Sequence, residues 1–86
     1  MAIILSIFES VKYYISNFEK IIINMFSKNL RILRNIKKLT QLELAKMLNV
    51  SYKTISHWEA GYSEPSLDML VKIKSVLDVS YEELLE

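Results

Sequence analysis

The stretch Thr40-Gln-Leu-Glu-Leu-Ala-Lys-Met-Leu-Asn-Val-Ser-Tyr-Lys-Thr-Ile-Ser-His-Trp-Glu-Ala-Gly61 decides how this chain folds. Thr40 and Glu43 stand in the T-x-x-E spacing of a capping box, in which two side chains accept from amides left unpaired where a helix begins. Leu44, Ala45 and Leu48 then give that helix one apolar face. Asn49 suits the left-handed position that ends it, because its short polar side chain tolerates positive φ. Ser51 is placed to cap a second helix. Along that helix Ile55 and Trp58 fall on the inner side, and Tyr52, Lys53, Ser56 and His57 share the other. The stretch therefore reads as two short helices joined by a tight turn.

The sequence on either side continues in helices. Residues 27 to 37 form one with Leu30 and Leu33 inward. Beyond Gly61, Glu64-Pro65-Ser66 interrupts the chain; Ser66 caps a helix running to Leu77, with Asp68 in its first turn, where a negative charge meets the positive end of the helix dipole. Leu67, Leu70, Val71 and Leu77 are expected to be its buried stripe. Ser80 and Glu83 make a second capping box, for a terminal turn or two from which Leu84 or Leu85 folds back onto the core. Five helices result between residues 27 and 86.

Composition agrees with a small all-α chain. Its 86 residues can bury one modest core, and a 51% hydrophobic content is high enough to want a partner surface as well. There is no cysteine and one histidine, so disulfides, thiolate metal sites and a histidine-rich metal centre are not expected. One glycine and one proline leave little material for long loops. The net charge of +1 conceals a division. Residues 27 to 53 carry seven basic side chains against Glu43, whereas residues 54 to 86 carry seven carboxylates against Lys72 and Lys74. A basic half of this kind can face phosphates while the acidic half faces away.

The chain resembles the phage-repressor, or Cro and Xre-like, helix-turn-helix family from about Ser27 to Glu86. The resemblance rests on Arg34, Thr40-Gln41, Leu44-Ala45, Val50-Ser51, Ile55-Ser56, Trp58-Glu59, Gly61, Glu64-Pro65, Leu70 and Leu77. It implies that the second helix of the motif enters the major groove of double-stranded DNA. Tyr52, Lys53, Ser56 and His57 then occupy the base-reading positions. Lys53 can donate to guanine O6 and N7, His57 can donate to guanine or accept from an exocyclic amine, and Tyr52 offers a hydroxyl and a ring face for a thymine methyl. Gln41, Ser51, Lys38 and Tyr62 are the expected phosphate contacts, which set register without reading sequence. Arg34 and Glu59 are expected to form a shielded structural ion pair. Three positions depart from the family pattern: Asn49 replaces the commoner turn glycine, Ala60 a polar residue, and Tyr62 a basic one.

Residues 1 to 26 lie outside the resemblance. Ile4, Phe8, Val11, Ile15, Phe18, Ile22 and Met25 follow a 4-3-4-3 spacing, the signature of a seam between helices. Glu9, Lys12, Glu19 and Lys20 interrupt every window long enough to span a bilayer, so a membrane anchor is not expected. The helix can pack on its own domain or pair with another chain; pairing is preferred, with Ile4, Phe8, Val11, Ile15, Phe18 and Ile22 as the dimerisation residues. A break at Ser27 is expected, although apolar residues at 22, 26, 30 and 33 are compatible with one helix from residue 3 to 37.

The resemblance implies a transcriptional regulator, a repressor that occupies a promoter on double-stranded DNA; pairing of the N-terminal helices would set it on an inverted repeat as a homodimer, and it is expected to be cytoplasmic and to need no cofactor. The chain shows no constellation of nucleophile and base and no glycine-rich phosphate loop, so no enzyme is expected. The alternative is a protein-interaction module, such as an antitoxin, whose N-terminal helix docks another protein.

Overall fold

A computed structural model describes the backbone of residues 2–86 and the side chains of residues 17–86. The helices are α1 (Ala2–Ile36), α2 (Gln41–Leu48), α3 (Tyr52–Ala60), α4 (Leu67–Leu77) and α5 (Tyr81–Leu85), and no strand occurs among the described residues. The all-α class and the positions of α2 to α5 agree with expectation. Thr40 and Ser80 form capping boxes with Glu43 and Glu83, Ser51 and Ser66 cap α3 and α4, and Asn49 closes α2 at φ 56°.

The expected break at Ser27 is absent, because α1 runs unbroken for 35 residues. Ser27 does not cap a new helix; it is buried, and its hydroxyl donates to the Ile23 carbonyl at 2.8 Å, one turn back along the same helix. That bond satisfies the side chain without interrupting the backbone ladder. Phe26 and Leu30, either side of the supposed break, are both buried in one core. The core thus begins at least one residue before Ser27.

Leu30, Leu44, Ile55, Ile73, Leu77 and Leu84 are the largest fully buried side chains, contributed by all five helices, each removing apolar surface worth roughly 1.5–3 kcal/mol from water. Expectation fails on part of α4. Leu67 is 82% exposed and Val71 is exposed, while Ile73 is fully buried. The inner row of α4 is Met69, Leu70, Ile73, Val76 and Leu77, spaced by threes and fours; Leu67 and Val71 are four apart on the opposite side. The short α5 is fastened by Leu84 and by Asn29, whose amide donates to the Leu84 carbonyl at 3.1 Å.

The radius of gyration is 16.0 Å, against about 12 Å for a compact chain of this length. The long axis of the molecule measures 54 Å, which is nearly the length of α1 itself at 1.5 Å per residue. Among the described residues, no helix is long and apolar enough to cross a membrane. Of the expected dimerisation residues, the side chains of Ile4, Phe8, Val11 and Ile15 lie outside those described. Phe18 is 63% exposed, and Ile22 is half-buried in an apolar hollow with Ile23, Phe26, Pro65 and Leu70.

Candidate nucleic-acid interface

The geometry of α3 follows from what holds its two sides. Its first turn is closed by Ser51, whose hydroxyl accepts from the Thr54 amide at 3.1 Å and lies 2.8 Å from the Thr54 hydroxyl. Its inner side is fixed by Ile55 and Trp58 in the core and by Glu59, whose side chain is only 4% exposed. Glu59 Oε2 accepts from Arg34 Nε at 2.6 Å, and Glu59 Oε1 accepts from Arg34 Nη2 at 2.9 Å and Gln41 Nε2 at 3.0 Å. Arg34 Nη1 donates onward to the Leu39 carbonyl at 2.8 Å and to Asn35 Oδ1 at 3.2 Å. A single guanidinium therefore links the end of α1, the following turn and the far end of α3. The Glu59 hydrogen bond and charge raise the pKa of Arg34, so a group always charged in proteins is held charged more firmly still.

On the outer side, Tyr52, Lys53 and His57 are exposed and Ser56 is half-buried. Tyr52 and Ser56, and Lys53 and His57, are four residues apart, so each pair stacks along one row of the helix. Gly61 then takes the left-handed φ of 78° that ends α3. The next residue, Tyr62, is 80% exposed and sets its ring edgewise to His57, centroids 5.8 Å apart and planes at 64°.

The expected phosphate ligands stand at element ends. Ser51 is at the start of α3 and Gln41 at the start of α2, where the first amides have no partner within the helix. The Gln41 side chain is engaged by Glu59, a link that sequence reasoning did not foresee, since 18 residues separate the two and no local pattern joins them. Lys38 is exposed beyond the end of α1 with φ 59°, a left-handed conformation that costs a lysine more than a glycine. Lys28, Arg31, Lys37, Lys46 and Lys53 are exposed on α1, α2, α3 and the α1–α2 turn, where Glu19 and Glu43 are the exposed carboxylates among the described residues, whereas Glu64, Asp68, Asp78, Glu82, Glu83 and Glu86 are exposed between α3 and α4, on α4 and α5 and at their ends.

A family profile described as helix-turn-helix matches residues 30–84. The chain is similar to the uncharacterized HTH-type transcriptional regulator YqaE of Bacillus subtilis (strain 168), with 40% identity over 62 residues, 72% of this chain and 53% of that protein. It is also similar to the HTH-type transcriptional activator BcrR of Enterococcus faecalis, with 42% identity over 60 residues, 70% of this chain and 29% of that protein. The matched region thus spans about half the length of these curated relatives, or less. Among solved structures, it is similar to the restriction-modification controller protein C.AhdI of Aeromonas hydrophila, with TM-score 0.67 and 31% identity over 72% of this chain and 94% of that one. With two short helices joined at Asn49 and packed against α1 and α4, the chain belongs to the helix-turn-helix family, in its Cro and Xre-like form.

Proposed function

We propose that this chain is a sequence-specific transcriptional regulator that binds double-stranded DNA through α3, as a homodimer on an inverted repeat, and represses by occupying a promoter. The observation that carries the reading is the division of α3. One side is locked to the body through Ile55, Trp58 and Glu59, and the other offers Tyr52, Lys53, Ser56 and His57 to a groove. A helix held rigidly from behind can present donors at the fixed spacing that base edges require. The exposed lysines and arginine of α1, α2 and the turn between them supply the attraction to phosphate, with Gln41, Ser51 and Lys38 setting register. Exclusion of polymerase by occupancy needs no machinery beyond this surface.

The dimer is supported by α1. Phe18, Met25 and Ile32 recur every seven residues, with Ile36 four further on; Phe18, Ile32 and Ile36 are exposed. Because the helix is unbroken, this row continues the spacing of Ile4, Phe8, Val11 and Ile15 without a change of direction. A second copy on a two-fold axis would cover the row and bring two α3 helices to successive major grooves, about 34 Å apart.

Selection from a randomised duplex pool tests the reading. The expected result is enrichment of a motif with two symmetry-related halves. A pool that stays unenriched would remove sequence-specific binding, and an enriched motif lacking symmetry would remove the two-fold dimer.

A further inference from the structure

Tyr62 occupies an unusual place among the candidate contacts. It lies outside α3, yet it is tied to His57 twice. Its amide donates to the His57 carbonyl at 2.9 Å, and the Gly61 amide donates to the Trp58 carbonyl at 3.2 Å. Together these are the paired bonds of a Schellman motif, which fixes the residue after the left-handed glycine relative to the residue five positions before it. The second tie is the edgewise contact of the two rings. The backbone bond thus fixes the Tyr62 main chain beside the end of α3, and the ring contact sets the Tyr62 ring against one side of the His57 imidazole. Lys53 stands one turn earlier on the same row.

An exposed histidine on a helix ordinarily samples several rotamers, and a base contact must then fix one of them at an entropic cost. A ring already confined loses less on binding. The hydroxyl of Tyr62 is not needed for this; the aromatic face and edge are.

We infer that Tyr62 is a positioning residue for base recognition, holding His57 in its reading orientation through ring contact rather than binding phosphate through its hydroxyl. This rests on the proposal that His57 reads a base. It assigns to Tyr62 a part in specificity and not merely in affinity.

The test compares full-length parent, Tyr62→Phe, Tyr62→Ala, His57→Ala and the Y62A/H57A double variant, each titrated by fluorescence anisotropy against the selected duplex and its single-base variants. Tyr62→Phe, which keeps the ring, is expected to discriminate as parent does. Tyr62→Ala is expected to lose about two- to tenfold discrimination, the range of an aromatic pair contact, at the base pair that His57→Ala affects and at no other. The double variant should then discriminate no worse than His57→Ala. A second readout needs no DNA: the ring-current shifts of the His57 side-chain protons in NMR spectra should survive in Tyr62→Phe and disappear in Tyr62→Ala.

Equal loss from Tyr62→Phe and Tyr62→Ala on every duplex overturns the inference in favour of a hydroxyl bound to phosphate. An unchanged Tyr62→Ala beside an impaired His57→Ala overturns it alone. An unimpaired His57→Ala overturns the base-reading assignment and this inference with it.

Discussion

Glu59 gathers three donor atoms from two side chains, Nε and Nη2 of Arg34 and Nε2 of Gln41, while its own side chain is 4% exposed. Pairing of this kind yields little net stability, since desolvating both ions offsets their attraction, but removing one partner strands the other. Arg34→Ala is therefore expected to cost about 3–5 kcal/mol, and the double substitution Arg34→Met with Glu59→Leu markedly less. Urea denaturation of the variants checks this, and equal loss in the single and double variants would mean that the pair itself supports the fold. At this scale the sequence was only partly legible. Arg34 and Glu59 were flagged by resemblance, but the entry of Gln41 into their network depends on how α2 lies across α3, which no single residue announces. The same holds for the contact of Tyr62 with His57, which requires the exact turn at Gly61 to be known first.

Elements whose signals are local were the most readable, and α2 shows why. The Thr40 and Glu43 side chains bond amides three residues away, so the spacing alone specifies the cap. The Thr40 backbone amide, then its hydroxyl, hold the Glu43 carboxyl below the usual carboxylate range. Its folded pKa is thus below its unfolded one, so the stability it contributes is present above the ordinary carboxylate pKa and fades as pH falls through the depressed value. Thermal melts from neutral to acid pH should show Glu43→Gln less sensitive to acid than parent; a parallel decline in both chains would deny the carboxylate this role. Elements decided by packing were less readable. In α4 apolar residues occur on both sides, and only packing into the core, against α2 among others, separates Ile73 from Leu67 and Val71. In α1 there is neither glycine nor proline near Ser27, and a serine serves a cap or a helix interior according to what its hydroxyl meets.

For the whole molecule, the consequence of one unbroken α1 is that the helix-turn-helix body and the candidate seam share one helix. Phe18→Glu with Ile32→Glu in the full chain alters two exposed positions, so circular dichroism should remain that of parent. Sedimentation should show a dimeric parent and a monomeric variant. The slope of log K against log salt should then fall by about half, each neutralised phosphate accounting for about 0.9 of it. A variant that sediments as parent does would place the interface elsewhere. The proposal that the outer row of α3 reads base edges is narrower than the dimer. Its most direct test is the affinity of parent and Lys53→Ala for the selected duplex and for every single-base variant of it at fixed salt. Lys53→Ala is expected to lose about 1–3 kcal/mol of discrimination at one base pair per half-site and to keep it at the others. Uniform weakening on all duplexes, or binding indistinguishable from parent, would contradict it.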